Sequence, residues 1–173
     1  MKRNVFLILV FAVLFAAAAC SPSPKAGSEQ ETSSSNIYLE KTWMEGLNGE
    51  TLSLKDMEGS VVVIDFWATW CGPCRASIPL YVKLYETYSS QGLKVIGVNV
   101  NETKEEIEAF VQKEKINYAM ARFNNDLNSI YKVSGIPSVF IFDKKGNKVA
   151  NFTGYSSELD AKIEEIIRLE LAK

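Results

Sequence analysis

Apolar residues in this chain fall into runs of two periods, separated by polar turn signals. Val61 to Trp67 is almost wholly β-branched or aromatic, the pattern of a strand covered on both faces. Lys94 to Val100 predicts a second buried strand. The spacing between them predicts a helix from Pro73 to Tyr88. Pro73 is tolerated in its first turn, whereas Pro79 lies in its interior and should kink it. Thr103-Lys104-Glu105-Glu106 reads as a capping box opening a helix with Ile107, Phe110 and Val111 on one face. Ile116 to Phe123 predicts a further strand and Asn125 to Val133 a short helix. Two hairpins are expected. One turns at Asn48-Gly49 within Trp43 to Leu54, the other at Asp143 to Asn147 between Ser138 to Phe142 and Lys148 to Thr153. A last helix from Ser157 should bury Leu159, Ile163, Ile166, Ile167 and Leu171. Strands alternating with helices, then a hairpin and a helix, predict an α/β fold. Its central mixed sheet should be parallel in the middle, antiparallel at one edge and flanked by helices.

The first residues follow a different pattern. Lys2-Arg3, apolar Val5 to Phe15 and small Ala16 to Ala19 read as a signal peptide over residues 1–19. Val5 to Ala19 is shorter than the roughly 20 residues a membrane span needs. Small residues directly before Cys20 resemble the lipobox of bacterial lipoproteins, which implies a lipid on Cys20 and a membrane anchor. Ala17 stands where that motif more often has leucine, and Ala17-x-Ala19 also fits ordinary cleavage to a secreted or periplasmic protein. Residues 20–36 are rich in Ser, Pro, Gly, Glu and Gln and read as a flexible tether, leaving 37–173 as the folded domain. Net charge is −2; without Lys2 and Arg3 it becomes 17 basic against 21 acidic residues. No basic excess is available for a phosphate backbone, which argues against a nucleic-acid partner.

The chain has three cysteines and no histidine. Cys71-Gly72-Pro73-Cys74 lies where the first buried strand gives way to a helix. A helix N-terminus offers unpaired N–H groups and a positive dipole end, and both stabilise a thiolate. Cys71 is therefore read as the attacking thiol, and Cys74, one turn further in, as the resolving one. A zinc site would need about four ligands, so no metal is expected. A c-type haem would need histidine where Arg75 stands, so no cofactor is expected either. A purely structural bridge would close a very short loop and gain little entropy.

Val63 to Cys74 resembles the active-site segment of thioredoxin-fold proteins, and Pro79 and Gly135-Ile136-Pro137-Ser138 fall at that family's later positions. The leader, the Asn-Gly hairpin and the helix-strand element inserted between Asn101 and Phe123 make the chain most similar to TlpA/ResA-like extracytoplasmic thiol-disulfide oxidoreductases. The resemblance implies a thioredoxin-like fold and a protein-disulfide reductase. Its electrons would come from a membrane-embedded donor, and its substrates would be disulfide-containing exported proteins, apocytochrome c among them. It further implies that Ile136-Pro137 forms a cis-proline loop facing the cysteines and pairing with substrate; the residues alone read first as a trans turn.

Asp65, in an apolar run, matches the buried acid of thioredoxins. Desolvation should raise its pKa and suit it to relay the proton of Cys74; the alternative is a solvated or hydrogen-bonded acid at a strand end. Glu102 matches an acid placed beside the site in ResA-like proteins, and equally fits the first turn of the Thr103 helix. Gly97 stands about where thioredoxins often carry a lysine that pairs with the buried acid, so Asp65 need not behave as it does there. Trp67 is read as core; Trp70, Gly72 and Pro73 are read as substrate-facing. Two other functions fit less well: a holder that binds clients without turnover, and a thiol peroxidase, for which the domain offers no third cysteine.

Overall fold

The computed structural model describes residues 32–173. The expected signal peptide, Cys20 and the first part of the tether lie outside the described residues. The first helix, α1 (Thr32–Lys41), crosses the boundary expected between Asn36 and Ile37. Composition suggested a tether there because the helix's anchor is distant in sequence: Tyr38 packs its ring 5.3 Å from that of Tyr131 and 5.5 Å from that of Phe142.

Strands β1 (Trp43–Gly46) and β2 (Thr51–Ser53) form the Asn-Gly hairpin. Strand β3 (Val61–Trp67) leads into α2 (Gly72–Tyr88), and β4 (Leu93–Asn99) leads into α3 (Lys104–Glu114). The Thr103–Glu106 capping box forms as expected. Strand β5 (Ala119–Arg122) is shorter than the run that predicted it, because Ile116 and Tyr118 turn into the core before the ladder begins. Then follow α4 (Asn125–Tyr131), the hairpin β6 (Ser138–Phe142) and β7 (Lys148–Thr153), and α5 (Ser157–Leu171).

Among the described residues seven strands pair, in the order β2-β1-β5-β4-β3-β6-β7. β5, β4 and β3 are parallel, and β6 and β7 form the expected antiparallel edge. The sheet also has a second antiparallel edge, since the β1–β2 hairpin pairs with β5 through Glu45 opposite Arg122 and Gly46 opposite Ala121. Two such rungs, between strands of four residues each, carry no periodic signature in sequence.

Successive residues of a strand face opposite sides of a sheet. Val61, Val63 and Trp67 pack in one cluster with Ile78 and Tyr81 of α2, Ile107 of α3, and Ile163 and Ile167 of α5. Val62, Ile64 and Phe66 pack on the opposite face with Tyr38 of α1 and with Leu127 and Tyr131 of α4. Every residue of β3 is buried, as its composition predicts. The cysteine turn thus emerges from the best-packed strand of the sheet.

Candidate active site

Cys71 is the N-cap of α2, and Cys74 lies in the first turn. The two are joined as a disulfide, with Cα atoms 5.2 Å apart. Cys71 Sγ accepts a hydrogen bond from Cys74 N at 3.2 Å, so this sulfur occupies the anion-favouring end of the helix. Cys71 retains 5% of its surface and Cys74 none. Gly72 and Pro73 are exposed beside them, and Trp70 is 61% exposed. A thiol at Cys71 is placed to meet a partner disulfide; one at Cys74 is placed to meet only Cys71.

Asp65 belongs to the β3 face that carries Val63 and Trp67, the face against which Cys71 and Cys74 pack. It is fully buried, and neither carboxylate oxygen has a hydrogen-bond partner among the described residues. Desolvation pushes its pKa up to about 8. Trp67 Nε1 is also buried without a partner. Gly97 lies directly opposite Asp65 in the parallel ladder. A Cβ there would come 2.6 Å from Met120 Sδ and 2.9 Å from Trp67 Nε1, so Met120 and the indole fill the space a longer side chain would need. The phenols of Tyr81 and Tyr118, whose rings lie 6.4 Å apart, are driven well above their usual range by burial and, secondarily, by the charge of Asp65.

Glu102 has the opposite surroundings. Its carboxylate accepts hydrogen bonds from Thr69 N at 2.7 Å, from Thr69 Oγ1, and from Asn99 Nδ2 at 2.6 Å. Although desolvation pulls the other way, these donors together hold its pKa below the usual carboxylate range. Its hydrogen bonds go to the loop before Cys71 and to the end of β4. Trp70 Nε1 donates to Asn101 Oδ1 at 3.2 Å on the same rim.

The Ile136–Pro137 bond is cis. Pro137 is buried and directly precedes β6, whose first residue Ser138 pairs with Phe66 of β3, and its carbonyl accepts from Gly154 N at 2.8 Å. Ile136 is half-buried and packs against the cluster that contains both cysteines. Asp65, Cys71, Cys74, Ile136 and Pro137 therefore gather at one end of β3 and β6. Glu102 joins them through Thr69.

Sequence reasoning missed Thr69, Asn99 and Asn101. A usable signal was present: Asn99-Val100-Asn101-Glu102 is a polar cluster ending a buried strand, next to the strand that carries the cysteines. In open α/β sheets, functional groups collect at the carboxyl ends of adjacent parallel strands.

Residues 39–150 match the AhpC/TSA family. The chain is 27% identical over 158 residues to the thiol-disulfide oxidoreductase ResA of Bacillus subtilis, covering 91% of this chain and 86% of that protein. It is 32% identical over 128 residues to ResA of Halalkalibacterium halodurans, covering 73% and 71%. A crystal structure of a thiol:disulfide interchange protein of the thioredoxin family from Chlorobium tepidum superposes with a TM-score of 0.68 at 26% identity, covering 75% of this chain and 92% of that one. The mixed sheet, the disulfide at the start of α2 and these similarities agree: the chain has a thioredoxin-like fold and belongs to the AhpC/TSA family and, within it, to the ResA-like thiol-disulfide oxidoreductases.

Proposed function

We propose that this protein reduces disulfides in exported proteins by cycling Cys71 and Cys74 between dithiol and disulfide. The observation that carries the reading is the asymmetry of the pair. Cys71 caps α2 and keeps some surface, while Cys74 is fully buried on the side of partnerless Asp65.

In the reduced protein the Cys71 thiolate attacks one sulfur of the client disulfide. A Cys71–client bond forms, the client's own S–S bond breaks, and the released client thiolate takes a proton. Asp65, in its ionised form, accepts the proton of Cys74. The Cys74 thiolate then attacks Cys71 sulfur, forming the Cys71–Cys74 bond and releasing the second client thiolate, which is protonated in turn. Two electrons pass to the client; one of the two protons it takes up is the Cys74 proton passed on by Asp65, the other comes from water, and the protein is left oxidised with Asp65 ionised again. A membrane-embedded dithiol donor restores it by the reverse exchange. The surface around Trp70, Gly72 and Pro73 receives the client, and the Ile136-Pro137 segment aligns its backbone. Haem-attachment cysteines of apocytochrome c are a client pair suited to this chemistry. We place the domain outside the cytoplasm, held to a bacterial membrane by lipid on Cys20.

Replacing Cys74 with serine tests the reading. The variant should accumulate client–Cys71 mixed disulfides that dithiothreitol releases, and the wild-type pair should equilibrate nearer thioredoxin's potential of about −270 mV than DsbA's of about −120 mV. A variant that traps nothing yet still binds clients would support a non-catalytic holder. Rapid peroxide-dependent turnover by the wild type would support a peroxidase.

A further inference from the structure

The loop from Trp67 to Cys71 is anchored along its length by the chain segment that follows β4. Trp67 O accepts from Val100 N at 3.1 Å. Both donors of Thr69 reach the Glu102 carboxylate, N to Oε2 and Oγ1 to Oε1. Trp70 Nε1 reaches Asn101 Oδ1. The receiving segment is itself braced. Asn99 Oδ1 accepts from the backbone N–H of Asn101 at 3.2 Å and of Glu102 at 3.0 Å, while Asn99 Nδ2 returns a bond to Glu102. Asn99 is buried at the end of β4, which pairs residue for residue with β3 from Val61 opposite Leu93 to Trp67 opposite Asn99. A template anchored in the rigid sheet thus runs beside the loop that delivers the attacking sulfur.

Two donors from one residue on the two oxygens of one carboxylate make a charge-assisted, forked contact, which fixes direction as well as distance. Cys71 is two residues beyond Thr69, and the exposed Trp70 indole lies between them. Without the fork the Thr69 N–H would lose its acceptor, and the loop could turn both Trp70 and Cys71 away from their present aim. Displacements of about 1 Å at a reacting atom can slow a reaction about a hundredfold.

We propose that Glu102 and Thr69 are positioning residues, a fork braced by Asn99 that aims Cys71 and the Trp70 surface at the incoming client disulfide. This assigns Glu102 no proton to transfer and gives Thr69, Asn99 and Asn101 their roles. The proposal rests on the reductase reading above.

The test compares Thr69→Val, which removes the hydroxyl donor, with Thr69→Ser, which keeps it. Glu102→Ala is compared with Glu102→Gln, whose amide can still accept from Thr69 N and donate to Thr69 Oγ1. Each full-length reduced protein is assayed for kcat and KM on one disulfide-bonded peptide, for the pH profile of Cys71 alkylation, and for Trp70 emission. Thr69→Val and Glu102→Ala should each lower kcat/KM roughly tenfold and shift Trp70 emission. Thr69→Ser and Glu102→Gln should restore both readouts. The Thr69→Val/Glu102→Ala double variant should be no slower than the worse single one. Rates within about twofold of wild type for both disruptive variants, or losses that multiply independently in the double variant, overturn the proposal. Should Thr69→Val fail to fold, the Glu102 pair carries the same comparison. Wild type unable to reduce the peptide would instead defeat the reductase reading, while the alkylation and emission readouts would still report on the fork.

Discussion

Two carboxylates lie beneath the cysteine turn, Asp65 on β3 and Glu102 in the segment after β4, and they live in opposite surroundings. Asp65 is sealed inside the sheet–helix interface, with no hydrogen-bond donor on either oxygen among the described residues. Glu102 is on the rim and receives three donors, from Thr69 and Asn99. Burial alone pushes the first acid up, to about 8, and donated hydrogen bonds hold the second down. An acid whose charge is poorly accommodated can take up and release a proton near neutrality. One whose charge is fully engaged is a fixed strut. The same functional group is thus held in two protonation regimes, and the number of donors around it decides which.

The largest effect expected from this contrast is on stability. Folded Asp65 keeps its proton until about pH 8, whereas the unfolded carboxyl releases it near 3.8. The folded state binds more protons between those values, so stability must fall as pH rises through the window and level off above it. Asp65→Asn removes that dependence. Denaturant unfolding should find the variant similar to wild type near about pH 4, and more stable near about pH 9 by up to about 5 kcal/mol. Parallel wild-type and variant curves would mean that a donor reaches Asp65 and that the contrast is false.

A smaller effect is expected at the position facing Asp65. Gly97→Ala forces a methyl against Met120 Sδ and Trp67 Nε1. Overpacking of this kind should destabilise by about 1–3 kcal/mol, readable as a lowered denaturation midpoint. An unchanged midpoint would show room beside Asp65 for a pairing side chain. The smallest effect belongs to an exposed pair on the hairpin edge, Arg122 and Glu45, whose atoms approach to 2.7 Å. With both side chains about half in solvent, Arg122→Gln should cost at most about 1 kcal/mol and leave peptide reduction unchanged. A larger loss would show that environment does not grade these charges as the two acids suggest.

Elements whose information is local were legible in the sequence. The β-branched run of β3, the capping box of α3 and the Asp143–Asn147 turn each carry their own signal, and the cysteine spacing announces its chemistry. What escaped depends on distant partners. The start of α1 is compatible with a tether by composition, yet its Tyr38 is held by Tyr131, about ninety residues away. The docking of β1 onto β5 rests on two rungs with no periodicity. Asp65 could be suspected because it interrupts an apolar strand. Its lack of any partner depends on what Gly97, Met120 and Trp67 leave room for. Glu102 was singled out, but the fork to Thr69 spans thirty-three positions and needed the register of β3 with β4 to be known.

The claim that Asp65 moves a proton while Glu102 holds a loop is tested most directly by the rate at which Cys74 resolves a preformed Cys71–peptide mixed disulfide, followed against pH. In wild type the rate should rise through an inflection near pH 8, where Asp65 ionises. Asp65→Asn should abolish the inflection and slow the step about a hundredfold, while Glu102→Ala should lower the rate without moving the inflection. An inflection that survives in Asp65→Asn, or that moves in Glu102→Ala, would contradict the account.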